Sequence, residues 1–272
     1  MTSTAPQRIA RPMDGFSPLL IACDIDGTLL RTGRPVSAEV QDAAAAVTAA
    51  GHHLVLATGR SLTGALPVAE QLGLEDTWIV SSNGAVTARV TNGTVEIVER
   101  HDIDAESAVR LAVAAAPGVR ISAEIVGVGY RINIPFPDGE LNGTQYDVLD
   151  LEGLWATPTP RLALHQPEIY RIAPALRALG FTAMSTRSDW IDVTARGISK
   201  ATALEKVRTE LGIEAHATVA IGDGENDIEM LDWATAGFAM AHALVPVLAA
   251  ADHITGTIDD DGAATALRSL LA

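Results

Sequence analysis

The stretch that most constrains this chain runs from Leu20 to Leu30, Leu-Ile-Ala-Cys-Asp-Ile-Asp-Gly-Thr-Leu-Leu. An apolar run of about four residues reads as a buried strand. It stops at two carboxylates, Asp24 and Asp26, followed by Gly27 and Thr28. Side chains alternate along a strand, so a two-residue spacing aims both acids to the same side. Ligands of open parallel sheets bind just beyond the carboxyl ends of the strands. Two acids left there with no adjacent base repel each other, and a hard cation is the usual remedy. Asp and Gly are also common in Asx turns, so the stretch takes its meaning from the rest of the chain.

The next hundred residues begin by repeating the design. Ala38 to Ala50 reads as a helix ended by Gly51, and His52 to Ala57 as a strand with Thr58-Gly59-Arg60 at its end. A helix is predicted from Leu62 to Leu72 despite Pro67, then a strand at Trp78 to Val80 that ends in Ser81-Ser82-Asn83-Gly84. Strand and helix alternating with short turns predict a parallel α/β sheet of the doubly wound, Rossmann-like kind. The rhythm breaks at Ala85. Asn92-Gly93 between two β-rich runs marks a hairpin, and Asp104 is placed to cap a helix reaching Ala116. Strands are predicted at 119–126, 130–134, 162–165, 181–187 and 190–194, a helix at 168–179 and a loop over 135–161. Hairpins mixed with helices read as an α+β insert. The α/β rhythm returns at Ser199, which can cap a helix to Leu211. A strand from His216 then stops at Gly222-Asp223-Gly224-Glu225-Asn226-Asp227, and three further helices and one short strand close the chain. The expected organisation is a flexible tail over 1–17, an α/β core over 18–84 and 190–272, and the α+β insert as a domain over 85–189.

Composition removes several classes of function. With 34 acidic and 19 basic residues the net charge is −15, which argues against nucleic acid or an anionic membrane surface as partner. A small anionic substrate stays compatible, because local groups and a metal outweigh the overall field. Cys23 is the single cysteine, so no intrachain disulfide is possible, and its place in a strand makes it a core residue. No run is long and apolar enough to span a bilayer, and residues 1–17 hold no apolar signal core. A cytoplasmic protein is the expectation. The pattern leaves the oligomeric state open.

Four strand ends therefore carry polar groups: Asp24 with Asp26, Thr58, Asn83, and Asp223 with Asn226 and Asp227. In a doubly wound sheet such ends line one edge and share one crevice. The chain has two lysines, Lys200 and Lys206, and six residues turn a helix by about 240°. Lys200, at the helix start, is the one expected to face the site. Phosphate-binding Gly-x-x-x-x-Gly-Lys, dinucleotide Gly-x-Gly-x-x-Gly, zinc His-Glu-x-x-His and calcium-loop spacings are absent.

The segments Asp24-Ile-Asp-Gly-Thr-Leu-Leu, Thr58-Gly-Arg, Lys200 and Gly222-Asp-Gly-Glu-Asn-Asp-Ile-Glu-Met resemble, in order, the four motifs of the haloacid dehalogenase superfamily of phosphatases. Ser82-Asn-Gly-Ala before an insert of this size resembles its Cof-type branch, which carries a large α+β (type IIB) cap. Arg196-Gly197 departs mildly, standing where many relatives have Lys-Gly.

The resemblance implies a Mg²⁺-dependent phosphatase of small phosphomonoesters, sugar phosphates or related metabolites. Asp24 would be the nucleophile that forms an aspartyl phosphate. Asp26 would protonate the leaving oxygen and then deprotonate water, a role that asks for a pKa above that of an exposed aspartate. Magnesium would be held by Asp24, the Asp26 backbone carbonyl and Asp223, with Asp227 as direct or outer partner. Thr58 and Lys200 would hold the remaining phosphate oxygens, with Thr28, Gly59, Arg60, Asn83, Gly84 and Asn226 at the substrate. The cap would set specificity; Tyr130, Arg131, Trp155, Arg161 and Arg187 are its polar and aromatic candidates, with surface placement as the default. Two rivals are a phosphomutase of the same chemistry and a non-catalytic module that binds a phosphorylated ligand.

Overall fold

The chain begins with β1 (Leu20–Cys23), α1 (Ala38–Ala49), β2 (His53–Ala57), α2 (Leu62–Gln71) and β3 (Asp76–Ser81). β4 (Val86–Thr91), β5 (Thr94–Arg100), α3 (Ala105–Ala115), β6 (Arg120–Ile125), β7 (Gly129–Ile132), β8 (Thr144–Asp147) and β9 (Leu162–His165) come next. Then come α4 (Ala173–Ala178), β10 (Phe181–Arg187), β11 (Trp190–Ala195), α5 (Lys200–Glu210) and β12 (Thr218–Gly222). The last elements are α6 (Ile228–Trp233), β13 (Ala236–Ala239), α7 (Val245–Ala250), β14 (His253–Ile254) and α8 (Gly262–Ser269). This computed structural model describes residues 17–271, so the expected tail lies, except for Ser17, outside the described residues. The chain divides into two units, one of residues 17–55, 71–74 and 205–271, the other of residues 56–70 and 75–204.

The first unit is the predicted α/β design. Its strands run in the order β14-β13-β12-β1-β2, and the pairs β1–β12, β12–β13 and β13–β14 are parallel. All four residues of β1 are buried, as expected of an apolar run covered on both faces. Helix α1 buries Val40, Ala43, Ala44 and Val47, one face at helical spacing. The Ser37 hydroxyl accepts the Val40 N–H at 3.2 Å and caps that helix. From β1 the chain goes to β2 on one side and later returns through β12 on the other, so strand order reverses at β1. That reversal is where a parallel sheet opens a crevice at its carboxyl edge. Two-residue β14 has no signature in the sequence.

In the second unit, the last two residues of β2 pair in parallel with β3, and β3, β4 and β5 continue as an antiparallel meander. Asn92 and Gly93 take φ of 49° and 75°, the left-handed pair that a two-residue hairpin demands. A separate six-stranded sheet has the order β10-β11-β9-β6-β7-β8. Its core joins Ile121, Leu162, Leu164, Ile191 and Val193 to Val109 and Ala112 of α3.

The strand partners differ from the sequence-based grouping in three places. β4 and β5, grouped with the insert, extend the first sheet, β4 pairing with β3 and β5 with β4, while β11, grouped with the C-terminal α/β stretch, pairs with β9 and β10. A strand's own pattern does not name its neighbour, and these are ordinary antiparallel pairings. β8 lies inside the predicted loop 135–161, and its Thr-Gln-Tyr-Asp is too polar to show a buried period. The predicted helix 168–179 splits into a 3-10 turn, Ile169–Ile172, and α4, whose second residue is Pro174, suited to a helix start. Asp104 does sit before α3, but its side chain makes no capping bond.

Helix α6 comes after the acidic turn that ends β12 and lies close on β13. A methyl group built on Gly237 of β13 would stand 2.7 Å from the Leu231 carbonyl oxygen. Gly237→Ala should therefore lower stability by about 1–3 kcal/mol through overpacking, read as a lower urea midpoint at unchanged slope.

Candidate active site

The acids of the first unit are placed by two neighbouring strand ends. β1 ends at Cys23, yet the Asp24 N–H still donates to the Ile221 carbonyl at 3.0 Å, which carries the ladder one residue further. The chain then turns tightly, with Gly27 at φ +86° and its N–H donating to the Leu30 carbonyl at 2.9 Å. β12 ends at Gly222, immediately before Asp223. The carboxylate of fully buried Asp227 accepts the N–H groups of Asp223 and Gly224 at 3.0 and 2.9 Å, folding the 3-10 turn Glu225–Asp227 back on the strand end. Carboxylate oxygens of Asp24, Asp223 and Asp227 consequently lie within 4.8 Å of one another.

Glycines make that approach possible. A methyl group on Gly27 would collide with the Asp223 carboxylate, and one on Gly222 would stand 2.6 Å from Asp227 Cγ. Thr28, expected at the substrate, is fully buried and its hydroxyl donates to Asp223 Oδ1 at 2.9 Å. Asp26 is half-buried and its Oδ1 accepts the Thr32 hydroxyl at 2.8 Å. Asn226 is half-buried on the 3-10 turn. His242, which no motif marked, brings Nε2 to 3.6 Å from Asp223 Oδ2.

Three ionised carboxylates this close repel pairwise by on the order of 3 kcal/mol at an effective dielectric of about 20. An all-oxygen set, with Asp24 and Asp227 buried and Asp223 half-buried, fits a hard divalent cation that keeps several waters. The donors therefore suit Mg²⁺, and they lack the sulfur ligands of a softer metal.

The second unit holds the other predicted residues. Thr58 is buried, its N–H donates to the Val80 carbonyl at 2.8 Å, and its hydroxyl oxygen accepts the Arg60 N–H at 3.1 Å. The Ser82 N–H donates to the Arg60 carbonyl at 2.7 Å and the Asn83 N–H to the Thr58 carbonyl at 3.0 Å, so segments 58–60 and 82–84 are laced together. Arg60 turns its Nη1 to the Gly64 carbonyl at 3.2 Å. Ser82, Asn83 and Gly84 all have positive φ, at 51°, 55° and 97°. For residues other than glycine this conformation costs on the order of 1 kcal/mol each. A methyl group on Gly84 would meet the Ser199 carbonyl, next to Lys200. Ser199 and Thr202 cap α5 reciprocally, the Ser199 N–H donating to Thr202 Oγ1 at 3.0 Å and the Thr202 N–H to Ser199 Oγ at 3.4 Å. Lys200 is 1% exposed, whereas Lys206 is exposed.

Behind these segments stands a buried ionic cluster. Arg161 donates from Nε to Glu124 Oε2 at 3.1 Å and from Nη1 to Asp192 Oδ1 at 3.3 Å. Its Nη1 also reaches the Gly59 carbonyl at 2.5 Å, and its Nη2 the Tyr130 hydroxyl at 3.2 Å. The Ser82 hydroxyl donates to Glu124 Oε2 at 2.6 Å and Asn83 Nδ2 to Asp192 Oδ2 at 3.2 Å. Burial pushes the Asp192 carboxyl up, although Arg161 pulls against it. Burial also works against the Arg161 charge, but Asp192, Tyr130 and Glu124 raise its guanidinium above the ordinary arginine range. Arg161 and Tyr130 are thus interior groups, which corrects their surface placement. Glu124 and Asp192 escaped notice altogether; the one hint was a carboxylate inside an apolar strand pattern.

Comparison with known proteins is decisive for the family. The profile of the haloacid dehalogenase-like hydrolases matches residues 21–126 and 166–267. The chain belongs to this family. A phosphoglycolate phosphatase of Natronomonas pharaonis is 30% identical over 253 residues, covering 91% of this chain and 95% of its own. A solved phosphatase of the superfamily from Bacteroides thetaiotaomicron is 26% identical, with a TM-score of 0.78 over 96% of this chain and 98% of its own. A subclass IIB sugar phosphatase shares the fold, with a TM-score of 0.77 at 23% identity over 92% of this chain and 98% of its own. This haloacid dehalogenase-like hydrolase is an enzyme of the phosphatase class, as its motifs imply. Among the described residues no helix is long and apolar enough to cross a membrane.

The acid cluster makes a direct prediction. Millimolar Mg²⁺ should raise the melting temperature of the wild-type hydrolase, because a ligand of the native state stabilises it. Asp223→Asn and Gly27→Ala should melt at a temperature independent of Mg²⁺, as tracked by scanning fluorimetry.

Proposed function

We propose that this hydrolase cleaves small phosphomonoesters through an aspartyl phosphate on Asp24, with Mg²⁺ held by Asp24, the Asp26 backbone carbonyl, Asp223 and Asp227. The observation that carries the proposal is the convergence of three carboxylates from two adjacent strand ends. A carboxylate oxygen of Asp24 attacks phosphorus while the bond from phosphorus to the leaving oxygen breaks. Asp26 gives its proton to that oxygen. In the second step Asp26 takes a proton from water, the water oxygen bonds to phosphorus, and the bond to Asp24 breaks, releasing inorganic phosphate. The Thr32 hydroxyl on Asp26 Oδ1 orients this acid-base group.

When bound, Mg²⁺ supplies charge neutralisation that lets Asp24 approach an anionic phosphate. Thr58 and Lys200 take the remaining phosphate oxygens. Because Thr58 Oγ1 already accepts the Arg60 N–H, its own proton is left to donate. Gly59, Arg60, Asn83, Gly84 and Asn226 border the substrate, and Thr28 serves it indirectly, by holding Asp223. Phosphoryl transfer asks chiefly for positioning and charge compensation, and this set offers both.

The substrate belongs to the phosphorylated small metabolites, with sugar phosphates first. Relatives named for phosphoglycolate and for sugar phosphates support that class. The α+β part of the chain acts as the cap and selects among them, in the cytoplasm, where such anions are retained. With Mg²⁺ and a chromogenic phosphate ester the protein should release free phosphate, and a chelator should abolish turnover. An isomeric ester as product would mean a mutase instead. Asp24→Asn should lower kcat by about 10³-fold or more while the far-UV spectrum and melting curve stay native.

A further inference from the structure

We infer that Arg161 is a positioning residue for the phosphate-binding end of this enzyme, acting through the Gly59 carbonyl and the Ser82–Asn83 turn to fix where the Thr58 hydroxyl points. The inference rests on the proposed role of Thr58 as a phosphate ligand.

Four observations carry it. First, Arg161 uses its fork on three separate stretches of chain, the Gly59 carbonyl, Glu124 of β6 and Asp192 of β11. Second, the same two carboxylates take the side chains of Ser82 and Asn83, so five groups share one buried hydrogen-bonded cluster. Third, Ser82 and Asn83 hold left-handed backbone that a serine in particular does not adopt unaided. Such strain persists only where surrounding bonds over-determine it, and it concentrates at sites that need a fixed geometry. Fourth, the backbone bonds from Ser82 to Arg60 and from Asn83 to Thr58 transmit that turn directly to the residues around the Thr58 hydroxyl. Three of the groups, Glu124, Arg161 and Asp192, are each at most 4% exposed. A planar, five-donor guanidinium meets this set of acceptors, and a lysine ammonium cannot span them.

The test is a double-mutant cycle on the full-length enzyme with Mg²⁺ and a chromogenic phosphate ester. Arg161→Lys keeps the charge and loses the fork; Thr58→Ala removes the positioned hydroxyl. Each alone should lower kcat by about 10-fold or more, and in the Thr58→Ala background Arg161→Lys should cost less than about 2-fold, since the two act as one unit. Equal losses in both backgrounds overturn the inference, because a merely structural arginine reduces turnover whether or not Thr58 is present. Unchanged turnover in Thr58→Ala overturns the Thr58 role, and the inference with it. Hydrogen exchange supplies a readout free of turnover: Arg161→Lys should expose the amides of Arg60, Ser82 and Asn83 to faster exchange while the β6 and β9 amides stay protected. Uniform protection across these amides also overturns it. If Arg161→Lys does not fold, Asp192→Asn, nearly identical in shape, enters the same cycle and the same exchange measurement, with the same outcomes deciding.

Discussion

Mutual repulsion among three carboxylates is the constraint around which the first unit is arranged. Parallel pairing of β1 with β12, Cys23 opposite Ile221, sets Asp24 and Asp223 just past adjacent strand ends. Asp227 is then drawn in by two backbone N–H groups. Each of those bonds fixes the direction of its acceptor, and so does the hydroxyl that Thr28 gives Asp223. The fold thus keeps charge concentrated where a water-filled cleft alone would disperse it. Three acids held this way are a set of oxygen donors that a hard cation would neutralise.

The second unit solves the opposite problem. There the cation is part of the chain: Arg161 sits between Glu124 and Asp192, and the cluster is closed by Tyr130, Ser82 and Asn83. Buried ion pairs of this kind contribute little net stability, since desolvation offsets most of the attraction. Their worth is geometric. The left-handed serine and asparagine in succession are each tied through the side chain to a carboxylate of the cluster.

Much of this was legible in the chain itself. Apolar runs broken by Asp-x-Asp-Gly-Thr, Thr-Gly-Arg and Gly-Asp-Gly-x-Asn-Asp announce strand ends because glycine and aspartate punctuate locally. Asn92-Gly93 names its hairpin for the same reason, and Ser199 caps the helix it was expected to open. What escaped was non-local. Nothing in Arg-Ile-Ser-Ala-Glu-Ile says that Glu124 meets an arginine 37 residues on. The direction of the Thr28 hydroxyl depends on Asp223, 195 residues away. Strand neighbours beyond that hairpin were equally hidden, so β4 joined β3 and β11 joined β9, pairings that their own patterns do not specify. His242 lacked any motif, and its nearness to Asp223 is a product of the loop after β13.

Cys23 closes the strand immediately before Asp24. It is wholly buried, and burial, with the neighbouring carboxylate, drives its thiol far above the ordinary cysteine range. A thiol held neutral and away from water is a weak nucleophile and a slow target for oxidants. The one sulfhydryl of the chain is therefore packed as a small apolar core group, and the reactive oxygens begin at the residue after it.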